Sequence, residues 1–205
     1  MLSTQFLLTA LVVVLMPGTG VLYTLALGLG RGRAAAVAAA TGCTLGIVPH
    51  LLAAALGLAA VLHASAVLFQ AVKWAGVAYL LWMAWGALRE TGALAVKPAA
   101  PSRDGLARIA IRGALVNVLN PKLSIFFLAL LPPFLSGDPG TATAEMLTLG
   151  AVFMGLTWAV FVAYGAFASA FRGRVLTSRR AMAWMNRAFA GVFAALAARL
   201  AAERA

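Results

Sequence analysis

The chain has 205 residues, 63% of them hydrophobic and only 10% charged, with a mean hydropathy of +0.97. Soluble domains average about 45–50% apolar and about 25% charged residues, and a chain this short has too much surface to hide such an excess from water, so a water-soluble globule is excluded. The net charge of +11 lies almost entirely between apolar runs, which argues against nucleic acid as a partner and for membrane topology and anionic lipid headgroups.

A spanning helix needs about 20 mostly apolar residues. The first such run goes from Gln5 to Leu29, interrupted at Pro17-Gly18-Thr19-Gly20 and closed by Arg31-Gly32-Arg33. Met1 to Thr9 holds no Lys or Arg, so this segment is expected to stay as a span rather than be cleaved as a signal. The second run, Ala34 to Leu62, contains Gly42, Cys43, Gly46, Pro49 and His50. The third, Ala66 to Leu88, contains Lys73. A polar connector, residues 90–111, follows. The fourth run, Arg112 to Leu135, is interrupted at Asn117, Asn120, Pro121 and Lys122 and stopped by Pro132-Pro133. The fifth is Ala144 to Phe171, with Glu145 expected at the outer interface. The sixth, Ala181 to Leu200, is the least apolar because it holds Asn186 and Arg187.

Arginine and lysine fall into the first, third and fifth connectors and avoid the second and fourth. Basic connectors stay cytoplasmic, which predicts periplasmic termini. The expected fold is an all-α membrane protein, one transporter domain over 1–205. Its six transmembrane helices form a 3+3 inverted repeat: halves 1–89 and 112–205 flank a cytoplasmic connector, 90–111. Helices one and four, the first of each half, are broken at Pro17 and Pro121 in matching positions. Paired broken helices in inverted halves are the sequence pointer to a secondary transporter's binding site. Proline removes an N–H and frees a carbonyl one turn back, and freed backbone is tolerated in a membrane only against protein or a water-filled cavity. Half-helix N-termini attract carboxylates and open carbonyls suit ammonium groups, a pairing that fits an amino acid.

The expected substrate-binding residues are therefore Pro17, Gly18, Thr19 and Gly20 of span one with Asn117, Asn120, Pro121 and Lys122 of span four. Lys122 is costly at helix centre and is read as a carboxylate or coupling charge. Gly46, His50 and Lys73 are expected to line the pore or couple to an ion; a neutral His there bonds across helices or relays protons. Gly42…Gly46 is a GxxxG pattern that suits packing within one chain or a homodimer. No metal site or cofactor is expected, since Cys43 is the sole cysteine and no His/Asp/Glu cluster appears. Two competing readings are an intramembrane enzyme built on Ser124 and His50, and a membrane scaffold or assembly protein.

Taken in order, Pro17-Gly18, the Gly28/Gly30-Arg31-Gly32-Arg33 turn, Gly42…Gly46…His50…Gly57-Leu58-Ala59, Lys73…Gly76…Tyr79-Leu80, and Asn117-Val118-Leu119-Asn120-Pro121-Lys122 with Phe126-Phe127-Leu128-Ala129 resemble the LysE/RhtB family of amino-acid exporters. The resemblance covers nearly the whole chain. It implies a six-helix bacterial inner-membrane carrier, driven by the proton gradient, that exports amino acids or similar metabolites. The family's first motif usually reads Pro-Gly-Pro followed by Asn or Asp. Here it is Pro17-Gly18-Thr19-Gly20, a departure that bears on substrate and ion coupling.

Overall fold

The computed structural model describes residues 3–16, 18–64, 66–89, 97–100, 104–136 and 138–171, with isolated positions between 187 and 202. Among the described residues every regular element is a helix. Helix α1 (Thr4–Leu15) starts at a serine cap, the Ser3 hydroxyl accepting the Phe6 N–H at 3.1 Å. It stops before Gly18, and α2 (Thr19–Arg31) resumes at an angle of 58° to it. A one-residue turn at Gly32, with φ of +82°, reverses the chain into α3 (Arg33–Leu45). That backbone angle favours glycine, which is why so short a hairpin closes.

The second expected span is not one regular helix. After α3 the hydrogen-bond ladder slips at Gly46-Ile47 before α4 (Val48–Ala64). Ile47 N–H bonds the Thr44 carbonyl at 3.0 Å instead of the Cys43 carbonyl. Pro49 explains the slip, because its ring crowds the carbonyl four residues back and it brings no N–H. Helix α5 (Ala66–Arg89) follows. Helix α6 (Leu106–Val118) begins at Leu106, within the expected connector rather than at Arg112, and α7 (Pro121–Leu130) follows after Leu119-Asn120. A short 3-10 turn at Pro132–Phe134 leads to α8 (Pro139–Phe171), 33 residues long. At 1.5 Å per residue α8 reaches about 50 Å, more than the roughly 30 Å hydrocarbon core. The expected sixth span, 181–200, lies largely outside the described residues.

Among the described residues two helical stretches are long and apolar enough to cross a membrane, Arg33–Gly57 and Gly140–Ala170, and the bent α1–α2 pair is a third if counted as one span. The outer surface agrees with a lipid solvent. Leu56 and Phe167 are 65% and 64% exposed, beside open faces of Trp74, Trp82 and Trp85. The interior is filled by Phe6, Leu25, Ile47, Leu80, Phe127, Leu130, Leu131 and Met146.

Helix α3 packs along α6. A Cβ on Gly42 would run into the Ala110 carbonyl, and one on Gly46 would come within 2.5 Å of the Ala114 carbonyl. The GxxxG face is thus occupied by a helix of the same chain. Glu145, expected at the interface, is instead buried. Its carboxylate accepts the Ser136 N–H at 2.8 Å, the Ser136 hydroxyl at 2.7 Å and the Thr141 hydroxyl at 2.8 Å. Burial of a carboxylate requires such partners, and they come from the loop preceding α8, at Ser136, and from the first turn of α8, at Thr141.

Candidate functional site

The polar interior of the bundle gathers at the helix interruptions. At the first, Gly18 caps α2 without a side chain, so the opening N–H groups of that helix have no side-chain cap. The break also frees the last carbonyl of α1. Tyr164 of α8 donates its hydroxyl to that Leu15 carbonyl at 2.8 Å. One turn into α2, Thr24 donates to the Gly20 carbonyl at 2.9 Å, and the Cys43 Sγ lies 3.9 Å from the same oxygen.

At the second interruption, Pro121 has no N–H, so the carbonyl of Asn117 loses its helical donor. Two groups replace it. Asn120 N–H bonds that oxygen at 2.9 Å, and His50 Nε2 stands 2.8 Å from it. A carbonyl can only accept, so His50 is protonated on Nε2 and donates. The Asn117 side chain works in the opposite direction. Its Nδ2 donates at 2.6 Å to the Cys43 carbonyl, the group released by the slip at Ile47. Asn117 therefore joins α6 to α3 with its side chain and to α4 with its main chain. It is buried, as satisfied amides in a low-dielectric interior are.

Gly20 and Gly46 make room for this node. A Cβ on Gly20 would meet Phe161 Cε2 at 2.9 Å and Asn117 Oδ1 at 3.2 Å; one on Gly46 would meet Asn117 Cβ at 2.9 Å. The node thus unites α2, α3, α4, α6 and α8 around one amide. It brings together four of the residues singled out in the sequence, Gly20, Gly46, His50 and Asn117. Asn120 is half-buried beside it, while Gly18 and Thr19 stand exposed at the tip of α2. Pro17 and the side chains of Lys73, Pro121 and Lys122 lie outside the described residues; the backbone at Lys73 is in α5, and that at Pro121 and Lys122 opens α7.

Sequence reasoning missed Thr24, Tyr164 and Phe161. Nothing local in the sequence marks Tyr164, whose partner lies 149 residues away. Thr24 had a findable signal, a hydroxyl four residues after Gly20 on the same face. Among the described residues no group of three or more His, Cys, Asp or Glu is placed to hold a metal ion.

At the other end of α2, the Arg31 guanidinium donates to the Asp104 carbonyl at 2.6 Å. The Asp104 carboxylate pairs with Arg108 at 2.8 Å and Arg112 at 2.6 Å. Tyr23 donates to the Ile109 carbonyl at 3.0 Å, and the Ala99 N–H reaches the Ala26 carbonyl at 2.9 Å. The described parts of the connector, 97–100 and 104–111, are therefore bound along the α2–α6 edge.

Comparison with known proteins fits this picture. An uncharacterized membrane protein of Vibrio cholerae is 31% identical over 98% of this chain and 96% of its own length. A homoserine/homoserine lactone efflux protein of Salmonella typhi is 29% identical over 97% and 95%. A leucine efflux protein of Enterobacter is 28% identical over 96% and 93%. No solved structure matches the chain. Residues 11–204 match the family described as LysE type translocator. A membrane translocator of this kind is a transporter and not an enzyme, and the chain belongs to the LysE type translocator family.

Proposed function

We infer that the protein exports amino acids or related small zwitterionic metabolites across the bacterial inner membrane, coupled to the proton gradient. Relatives named for homoserine, homoserine lactone and leucine efflux support the direction and the substrate class. The observation that carries the reading is the Asn117 node. Residues from both expected halves, Gly20, Cys43 and His50 on one side and Asn117 on the other, meet where two helices are interrupted. Alternating access would remake these bonds as one half rocks against the other, in the manner of inverted-repeat carriers.

In this reading the chain is a six-helix 3+3 inverted repeat with helices one and four broken at Pro17 and Pro121 and both termini periplasmic. Pro17, Gly18, Thr19, Gly20, Asn117, Asn120, Pro121 and Lys122 bind the substrate. Lys122 holds a carboxylate or a coupling charge, and His50 and Lys73 serve the pore or the coupled proton. His50 is suited to that role because its Nε2 bonds the Asn117 carbonyl across two helices at 2.8 Å and its ring carries a second nitrogen. The test is efflux. Cells expressing the protein and fed a panel of dipeptides are expected to release one or more amino acids faster than empty-vector cells, and Lys122→Ala to lose that advantage. No accelerated release of any amino acid would sink the exporter reading, and a fully active Lys122→Ala would remove Lys122 from the site. A reporter fused after Ala205 should read periplasmic; a cytoplasmic signal would break the six-span topology.

A further inference from the structure

Glu145 is a buried ionisable group that takes no part in the Asn117 node. It sits in the second turn of α8 and is 4% exposed. Its carboxylate receives three hydrogens, from the Ser136 N–H at 2.8 Å, the Ser136 hydroxyl at 2.7 Å and the Thr141 hydroxyl at 2.8 Å. An ionised carboxylate only accepts, so this set of donors fits the charged form. Protonation puts a further hydrogen among the donors and exchanges charge-assisted bonds for neutral ones of about half the strength.

The clasp holds more than one loop residue. Ser136 follows the 3-10 turn at Pro132–Phe134, so its bonds to Glu145 fasten that turn to α8. Phe134 packs edge-on against Phe6 of α1, with ring centroids 5.3 Å apart, and Leu131 and Met146 are buried in the same cluster. This end of the molecule is therefore closed by α1, the turn and α8 together. It is also the end remote from the basic connectors. Helix α8 runs on from Glu145 to Phe171, about 39 Å at 1.5 Å per residue, before Arg172 and Arg174 follow. In the six-span reading it faces the periplasm, the side from which protons enter a carrier driven by the proton gradient.

Other charges stand apart from the clasp or beside it in fixed bonds. Helix α1 adds no charged side chain, only the positive amino terminus that precedes Thr4 by three residues. Helices α2 and α3 meet the other half of α8, with Gly20 against Phe161 and Trp158 on Thr41, and carry Tyr23, Arg31, Arg33 and Cys43 with them. Helix α4 brings His50, which is engaged at the Asn117 carbonyl. In the loop, the Asp138 carboxylate accepts the Gly140 N–H at 2.9 Å.

We propose that Glu145 is the proton-binding group of an outer gate: a proton taken from periplasmic water onto its carboxylate loosens Ser136 and lets the Pro132–Phe134 turn part from α1 and α8, opening the path by which solute leaves. The assignment rests on the proton-coupled exporter reading and adds to it the group that answers outside pH. The closed gate holds the carboxylate without its proton, so the linkage has one sign: acid outside opens the gate and alkali closes it.

Right-side-out proteoliposomes loaded with labelled leucine or homoserine exchange it for the same unlabelled compound outside, at fixed internal pH and clamped membrane potential, while outside pH runs from about 8 to about 5.5. Such exchange carries no net flux, so the proton gradient does not drive it. The parent rate is expected to rise at least fivefold toward acid. Glu145→Gln, uncharged throughout, should stay within twofold of the parent's acid rate at every pH. Ser136→Ala removes one donor to the charged form and keeps the carboxylate, so its midpoint should move up by about half a pH unit or more; a packing defect alone would change the rate and not the midpoint. Ser136→Ala also carries the test if Glu145→Gln does not fold. Hydrogen exchange in detergent reads the gate without any solute. Corrected for intrinsic pH dependence, the Phe134, Leu135 and Ser136 amides should exchange at least tenfold faster in the parent at acid pH, and in Glu145→Gln at alkaline pH, than in the parent at alkaline pH. A parent rate indifferent to outside pH, a Glu145→Gln protein that keeps the parent's response or stays slow at every pH, or a Ser136→Ala midpoint that stays or moves down overturns the gate and leaves the exporter reading standing. If neither compound is exchanged, the exporter reading fails for both, and hydrogen exchange decides the gate: equal protection in all three samples overturns it.

Discussion

The interruption between α1 and α2 and the one between α6 and α7 solve the same problem in opposite ways. Each breaks a helix in an apolar setting and so releases backbone groups that hydrocarbon cannot solvate. At the second, every released carbonyl named above is taken by a group from another element or the adjoining turn. His50 and Asn120 hold the Asn117 oxygen, and the Asn117 side chain in turn holds the Cys43 oxygen that the slip at Ile47 releases. At the first, Tyr164 closes the Leu15 carbonyl, while the start of α2 has no side-chain cap. One break has its freed Asn117 carbonyl bridged to another helix. The other keeps a helix start without a side-chain cap. The difference teaches that a broken helix is not by itself a binding site; what matters is which of its freed groups the rest of the fold leaves unmet.

The strongest way to break this comparison is to part α3 from α6. Gly46→Val places branched carbons against the Ala114 carbonyl and the Asn117 Cβ. Backbone on one side cannot yield as a side chain would, so the cost should lie at or above the upper end of the roughly 1–3 kcal/mol typical of overpacking. Size-exclusion profiles and melting in detergent should show a large loss of folded protein. A variant that melts like the parent would mean that α3 and α6 are not in backbone contact. Next in size is Asn117→Ala, which strands the buried Cys43 carbonyl. A buried acceptor without a donor costs about 1–3 kcal/mol, and the same melting assay should register it. Asn117→Asp should not rescue, because an ionised carboxylate cannot donate to that carbonyl.

Much of the second break was legible from residues alone. Asn117 and Pro121 stand four apart, so the proline must orphan that carbonyl, and a buried histidine is a natural donor. The close approach of α3 and α6 was likewise written in Gly42 and Gly46. What could not be read was anything carried by long-range return of the chain. Glu145 looked interfacial because its partners, Ser136 and Thr141, matter only once the loop folds back over α8. The slip at Ile47 was hidden because Pro49 lies three residues after Gly46 inside a long run that hydropathy reads as one span. Helix α6 begins at Leu106, and Asp104, which looked like part of a solvated connector, pairs with Arg108 and Arg112 of its first two turns. Hydropathy records where lipid begins; it does not record where a helix does.

A smaller effect sharpens the contrast at the first break. Tyr164→Phe removes the donor to the Leu15 carbonyl and nothing else of the ring's packing. Interhelical hydrogen bonds in membrane proteins average about 0.6 kcal/mol and reach about 1.7. The loss should therefore be smaller than that of Asn117→Ala, and melting curves taken side by side give the order. A Tyr164→Phe protein less stable than Asn117→Ala would reverse the ranking of the two breaks and make the first, not the second, the structural hinge.

The smallest effect is expected at the basic end of α2, remote from both breaks. Asp104→Asn deletes two ion pairs, but the Arg108 and Arg112 side chains are 68% and 58% exposed. Solvent screens such pairs, and each contributes about 0–1 kcal/mol. The Arg31 bond survives the substitution, because it goes to the main-chain carbonyl of residue 104. The connector should then stay docked through Ala99 on Ala26 and Tyr23 on Ile109. Melting should fall by a degree or so at low salt, on the order of what a fraction of a kcal/mol produces, and the difference should vanish at about 1 M salt, where the Debye length is near 3 Å. A large drop that persists in high salt would show that Asp104 holds the α2–α6 edge by geometry rather than by charge, and would make this end of the molecule a third structural hinge.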